Sequence, residues 1–85
     1  MDEKLINLAK DIQKIAEEQA EKLGKSYIGA LPHCEIMVTV LVSPRGGRQV
    51  YYYLNGQRSH KKRITKLIVK LLAIQAKKNL FNTNH

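Results

Sequence analysis

Apolar residues recur with the period of a helix at both ends of this 85-residue chain and with the period of a strand between them. From Asp2 to Leu23 they return every three or four positions, which predicts an amphipathic helix that ends at Gly24. The β-branched run from Glu35 to Val42 predicts a strand, and Gln49 to Leu54 predicts its antiparallel partner. This order of elements predicts an α+β fold with both helices on one face of a small sheet.

The connections between these elements carry typical turn residues. Ser43 to Arg48 contains Pro and two Gly residues, and Asn55-Gly56 is the preferred dipeptide of a tight hairpin turn. Gln57 and Arg58 then extend far enough for a short third strand. We expect a second helix that Ser59 caps and that runs to about Asn79. Residues 25–34 are expected to be a connector with only a short extended piece.

The length of the chain predicts one small domain, residues 1–81, followed by a disordered tail at 82–85. A core of this size only marginally holds a chain folded, so a homodimer is one way to complete it. No apolar run approaches the roughly 20 residues that span a bilayer. The acidic start differs from a signal peptide, and the single Cys34 is interpreted as a buried free thiol. We therefore expect a cytoplasmic protein, or a nuclear or host-cytosolic one if its source is eukaryotic or viral.

Charge is distributed unevenly along the chain. Residues 36–85 contain ten Lys or Arg and no Asp or Glu, whereas all seven acidic residues lie between Asp2 and Glu35. A segment of one sign repels itself when it folds, and a polyanion such as a nucleic acid relieves that repulsion. The polar side of the first helix mixes both signs and is interpreted as a solvated face, which includes Lys10, Lys14 and Glu17.

The second helix begins with His60-Lys-Lys-Arg63. Cations in a first turn oppose the helix dipole, but the same turn attracts an anion. At about 100° per residue, one arc of this helix is basic, and its members are Lys62, Arg63, Lys66, Lys70 and Lys77. The apolar arc of the same helix is wider than a surface helix needs, so the first helix or a second protomer must cover it.

Three consecutive tyrosines follow the Arg45-Gly-Gly-Arg48 turn. Aromatic rings beside arginine can stack unpaired bases. Alternation along a strand sends Tyr52 to the face opposite Tyr51 and Tyr53, so at least one of those faces is expected to be core. Packing is therefore the favoured interpretation of the trio.

Catalysis is not expected from this sequence. His33, Cys34 and Glu35 are adjacent in an extended segment, where side chains alternate and cannot form a Cys-His pair. The His and Cys residues have no metal-ligand spacing, and no glycine-rich phosphate loop is present. We predict a protein that is not an enzyme and needs no cofactor or metal.

Two patches resemble the double-stranded RNA-binding domain family. Gly29-Ala-Leu-Pro-His33 is similar to that family's Gly-Pro-Pro-His loop, and Asn55 to Ile64 is similar to its Gly-rich turn followed by Ser and Lys-Lys. The resemblance implies a helix, a three-stranded sheet and a helix. It also implies that His33 enters an RNA minor groove while Lys61 and Lys62 contact phosphates. Thr65 occupies the family's third lysine position, so Lys66 arrives one residue late.

The sequence therefore predicts a small protein that binds duplex RNA by shape and phosphate contacts, with little sequence preference and no membrane partner. The expected contacts are, in order, Lys61, Lys62 and Lys66, then Arg58, Arg63 and His60, then His33 and Arg45. An alternative is a phage or plasmid type regulator or accessory subunit that docks on a larger nucleoprotein assembly. Sequence-specific DNA reading is disfavoured, because the second helix presents mostly Lys.

Overall fold

The structure is a computed structural model that describes residues 2–31 and 34–82. In chain order its elements are α1 (Glu3–Leu23), β1 (Lys25–Leu31), β2 (Cys34–Val42), β3 (Arg48–Leu54), β4 (Gln57–Ser59) and α2 (Lys61–Asn82). The strands form one antiparallel sheet in the order β1-β2-β3-β4. The predicted α+β fold is confirmed, and the short strand expected after the Asn55-Gly56 turn is β4.

The first helix forms as its sequence predicts. The Asp2 carboxylate accepts a hydrogen bond from the Lys4 amide at 2.9 Å, and the Gly24 amide closes the last turn on the Ala20 carbonyl. Gly24 has a φ of 92°, which residues with a side chain rarely adopt. The ends of α1 are therefore set by local chemistry.

The prediction that residues 25–34 form a connector is wrong, because most of this segment is the seven-residue strand β1. Ser26 and Ile28 face the helices and are buried, whereas Tyr27 is exposed on the other face. The Ser26 hydroxyl donates to the Ala16 carbonyl at 2.6 Å and so ties β1 to α1. The polar residues and Gly29 give this segment a low strand propensity, so the sequence pattern does not predict the strand. Its pairing with β2 stabilises it more than its own propensity does.

The turn into β4 has the expected geometry. Asn55 and Gly56 both have positive φ, at 51° and 85°, as a tight hairpin turn requires. The Glu35 amide donates to the Asn55 side-chain oxygen at 2.9 Å, which fastens the turn to β2. The hairpin register then places Ser59 opposite Tyr52.

Because of that register, the prediction that Ser59 caps the second helix is wrong. Ser59 belongs to β4, and its hydroxyl oxygen is buried with no hydrogen-bond partner among the described residues. It therefore does not cap α2, which begins at Lys61. The helix runs to Asn82, three residues further than expected, and residues 83–85 of the predicted tail lie outside the described residues.

The core lies between the sheet and the two helices. Its most buried apolar side chains are Ala9, Ala16, Ala20, Ile28, Ile36, Val38, Val40, Tyr52, Ile64, Ile68 and Val69. Leu67, Leu71 and Leu72 pack against them, so α1 and the sheet cover the wide apolar arc of α2 as far as Leu72. Ile74, beyond that point, is half exposed. Val42, at the end of β2, is also half exposed, and Cys34, expected to be a buried thiol, is only partly buried.

Candidate nucleic-acid interface

A groove between α1 and the start of α2 gathers lysines from both helices. Its volume is about 380 Å³, and its lining is Lys10, Gln13, Lys14, Glu17, Lys61, Lys62 and Thr65. Lys10 and Lys14 share one side of α1 because they are four residues apart. Lys61 and Lys62 enter from the first turn of α2. Four ammonium groups thus face the groove against the single carboxylate of Glu17. We name this groove, with its four lysines, the basic groove.

Polar contacts on the floor of the groove hold the two helices in this arrangement. The Thr65 hydroxyl donates to the Gln13 side-chain oxygen at 2.8 Å, and the Gln13 amide donates to the Lys61 carbonyl at 3.4 Å. Gln13 is fully buried. Because these bonds join the middle of α1 to the first turn of α2, they fix the separation of the lysines above them.

Glu17 is the centre of a buried network at the end of the groove. Its carboxylate accepts a hydrogen bond from the Tyr52 hydroxyl and lies 2.9 Å from the Lys61 ammonium and 3.4 Å from the Arg48 guanidinium. The Glu17 side chain is 7% exposed, whereas that of Lys61 is 58% exposed. The prediction that Glu17 belongs to a solvated face is therefore wrong. The charged ends of Lys61 and Arg48 reach it from other elements and compensate its burial.

These contacts shift the acidity of the two buried partners. Burial by itself would raise the pKa of Glu17, but the hydrogen bonds from Tyr52 and Lys61 and the charges of Lys61 and Arg48 outweigh it and lower that pKa. Burial, together with the hydrogen bond to the Glu17 carboxylate, raises the pKa of the Tyr52 phenol well above its usual value. At neutral pH the network therefore holds an ionised carboxylate and a neutral phenol.

A basic stripe continues from the groove along the exposed side of α2. Its members, which we name the α2 stripe, are Lys62, Arg63, Lys66, Lys70 and Lys77, and all five are exposed. Within the part of the chain that the structure describes, none of them forms an ion pair. The first turn of α2 contains no acidic residue to offset the dipole. The stripe is therefore available to an external anion.

The structure separates the other predicted contacts. His60 is exposed directly before α2, and Arg45 is exposed in the turn between β2 and β3. Arg48 ends that turn and pairs with Glu17, as Lys61 does, so the turn and the start of α2 lie at the same end of the sheet. His33 lies outside the described residues, and its neighbour Cys34 pairs with Leu31 at the other end of β2.

Arg58 lies on the face of the sheet away from the helices, where its guanidinium stacks 4.3 Å from the ring centre of Tyr51. An open cleft of about 410 Å³ connects this side with the start of α2, and its lining is Val50, Tyr51, Tyr52, Arg58, Ser59, His60 and Lys61. The predicted split of the tyrosine trio is confirmed. Tyr52 is buried in the core, and Tyr51 and Tyr53 lie on the outer face.

Sequence reasoning missed Lys10 and Lys14 as site residues, because each is an ordinary lysine on the polar side of an amphipathic helix. Only the packing of α2 against α1 brings them to Lys61 and Lys62. It also missed Tyr27, although the alternation of Tyr27 with Ser26 and Ile28 was a usable strand signal.

Within residues 2–31 and 34–82, no helix is long and apolar enough to cross a membrane. The same residues contain no group of three or more His, Cys, Asp or Glu side chains that could hold a metal ion. Comparison of the chain with protein-family models, with curated proteins and with solved structures found no match.

Proposed function

We propose that this protein binds nucleic acid, preferentially duplex RNA, through the basic groove and the α2 stripe. The observation that carries the proposal is the convergence of Lys10 and Lys14 from α1 with Lys61 and Lys62 from α2. Four ammonium groups around one groove are costly without a counter-anion, and a phosphate backbone supplies several anions at regular spacing. A nucleic acid bound there would lower the electrostatic energy of the folded protein.

The dimensions of the stripe suit an extended polyanion. Lys62 and Lys77 are fifteen residues apart on one helix, which corresponds to about 22 Å at a rise of 1.5 Å per residue. Each strand of a DNA duplex carries one phosphate about every 3.4 Å along the axis, and an RNA duplex carries them at least as densely, so either duplex beside α2 offers several phosphates within reach. The dipole of α2 adds attraction at its first turn.

The contacts differ in their expected share of the binding. Lys62, Lys66 and the two α1 lysines form no ion pair among the residues that the structure describes, and we assign them to phosphates. Lys61 is shared with the Glu17 carboxylate at 2.9 Å and therefore contributes less than its position suggests. Arg63 and His60 adjoin the first turn of α2, and Arg45 is exposed in the turn that precedes Arg48; we assign all three to further contacts.

The preference for RNA over DNA, and the low sequence preference, come from the resemblance to the double-stranded RNA-binding domain. In that family an α2 start and the β1–β2 loop contact the duplex at separate places, which assigns His33 to a minor-groove contact here. Phosphate contacts from lysine carry no sequence information, which agrees with a surface made mainly of Lys. A cytoplasmic location stays a prediction.

The proposal is tested by removing two charges from the groove and two from elsewhere. Lys10→Gln with Lys62→Gln should weaken binding to a 20-base-pair RNA duplex, and the slope of log affinity against log salt should fall by about 2. Fluorescence anisotropy at several salt concentrations measures both quantities. A DNA duplex of the same sequence, titrated in parallel, measures the preference for RNA.

Lys4→Gln with Lys22→Gln is the matched control, because it removes the same charge from exposed positions of α1 that do not line the groove. We expect this pair to change affinity only slightly. Equal weakening by the two pairs would contradict the site assignment. Equal affinity for RNA and DNA would contradict only the preference for RNA.

A second candidate function, docking on a larger nucleoprotein assembly, is favoured by exposed apolar side chains on α1 and on the edge strand β1. Leu8 and Ile15 lie seven residues apart on α1 and are 46% and 56% exposed, and Ile15 and Tyr27 line one groove. A homodimer would use the same kind of surface. Docking of this type should change little with salt, whereas phosphate binding weakens steeply, so the salt titration distinguishes the two.

A further inference from the structure

The outer face of the sheet carries three of the four tyrosines of the chain. The strand register aligns Tyr27, Met37, Tyr53 and Arg58 in one row across all four strands. Lys25, Thr39 and Tyr51 form the next row. The buried residues of α1 and α2 pack with the opposite face. At the β1 edge Tyr27 borders a groove with Ile15 of α1 and is still 53% exposed. We name Tyr27, Tyr51 and Tyr53, with Lys25 and Arg58, the tyrosine face.

Cations accompany the rings. The Arg58 guanidinium lies 4.3 Å from the ring centre of Tyr51, and the Lys25 ammonium lies 5.9 Å from that of Tyr27. Alternation along β2 brings one carboxylate, Glu35, to this face, at the end of the sheet near Asn55. Arg58 is one row of the sheet away from Glu35, and Lys25 and Tyr51 are two rows away. The face is therefore aromatic and positively charged.

From these observations we propose that the tyrosine face binds single-stranded nucleic acid, whose unpaired bases stack on the rings while Lys25 and Arg58 contact its phosphates. Ring faces stack any unpaired base, and arginine planes do the same. Bases inside a duplex are paired and cannot lie on such a face. The ligand is therefore a single strand, and this site differs from the basic groove in surface and ligand.

The spacing of the rings suits successive nucleotides. Tyr51 and Tyr53 are two residues apart on β3, which separates them by about 7 Å. Tyr53 and Tyr27 are two strands apart, or about 10 Å. A short single strand can span either interval, so two or three bases reach rings at once. Arg58 over Tyr51 offers the outer plane of its guanidinium to one of them.

A protein partner is less well matched to this face. The rings present hydroxyl groups, and their neighbours include Thr39 and Gln49, which accepts a hydrogen bond from the Tyr51 hydroxyl at 2.8 Å. The exposed aliphatic side chain of Leu41 lies along the same strand face and would be central to apolar docking. Leu41 adds nothing to base stacking, so its replacement distinguishes a protein partner from a single-stranded nucleic acid.

The test titrates the protein with an oligouridylate decamer and follows its tyrosine fluorescence. The chain has no Trp, and Tyr52 is buried against Glu17, so quenching reports on the other three rings. Tyr27→Ala and Tyr53→Leu should each weaken decamer binding about 5- to 150-fold, the cost of one lost base stack. Tyr53→Phe keeps the ring and should bind as the wild type does.

Two controls make the outcome decisive. Leu41→Ala on the same face should leave decamer affinity unchanged, and urea denaturation should show that the Tyr27→Ala protein, altered at a half-exposed position, is folded. Unchanged affinity in Tyr27→Ala and Tyr53→Leu, or no decamer binding by the wild type at low salt, would overturn the proposal. A loss in Leu41→Ala equal to that in Tyr27→Ala would also overturn it, in favour of apolar docking.

The two proposals fail separately. The duplex titration with the groove variant Lys10→Gln and Lys62→Gln tests the proposed function, and the tyrosine variants should leave duplex affinity within about twofold of the wild type. Decamer binding that survives without duplex binding would leave the tyrosine face as the nucleic-acid site of this protein.

Discussion

Replacement of Glu17 by glutamine tests the network that sets the geometry of the basic groove. The change keeps the shape of the side chain but removes its charge. The hydrogen bond from Tyr52 then becomes a neutral one, which loses about 1 to 1.5 kcal/mol of the unfolding free energy. The pairs with Lys61 and Arg48 together contribute at most about 1 kcal/mol more, because these side chains are 58% and 39% exposed. The total expected loss is about 2 kcal/mol.

Urea denaturation at pH 7, followed by far-ultraviolet circular dichroism, measures this loss. With a slope typical of a small domain, the midpoint should fall by about 1 to 2 M. Glu17→Ala should lose about 1 to 3 kcal/mol more, because it leaves the buried Tyr52 hydroxyl without an acceptor. Glu18→Gln, at the exposed neighbouring position, is the control and should stay within about 0.5 kcal/mol of the wild type.

An unfolding free energy of Glu17→Gln within about 0.5 kcal/mol of the wild type would refute this reasoning. It would mean that solvent screens the carboxylate and that its burial costs as much as its partners contribute. A double-mutant cycle with Lys61→Met isolates the ion pair, for which we expect a coupling of about 0.5 to 1 kcal/mol.

Two further predictions concern the same region. Because folding lowers the pKa of Glu17, its contribution to the free energy of unfolding is present above the usual pKa of 4.5 and is lost as the pH falls through the folded pKa. The stability advantage of the wild type over Glu17→Gln should therefore shrink below pH 4.5 in urea titrations. An advantage that grows there would contradict the assignment. Ser59→Ala removes a buried hydroxyl that has no hydrogen-bond partner, so thermal unfolding should show unchanged or increased stability, by up to about 1 kcal/mol. A loss above 1 kcal/mol would indicate a partner for that hydroxyl.

Much of the fold is readable from local patterns in the sequence. The period of α1, its cap at Asp2 and the Asn55-Gly56 turn each depend on residues close together in the chain, and each has the predicted form. The wrong predictions depend on pairing over longer distances. Strand β1 is held by β2, and Ser59 is drawn into β4 by its register opposite Tyr52, where it cannot reach the amides of α2.

Some features of the candidate site likewise follow from the sequence alone, and others depend on the tertiary structure. The sequence by itself determined that the cations are concentrated after Glu35 and that one side of the second helix is basic, because both features follow from residue order and the 3.6-residue period. Only the tertiary structure decided that Lys10 and Lys14 join Lys61 and Lys62, that Glu17 is buried, and that Tyr27 shares a face with Tyr51 and Tyr53. Periodicity assigns a residue to a side of its own element. The partner of that side depends on which elements pack together, and that choice is made by burial and hydrogen bonding across the whole chain.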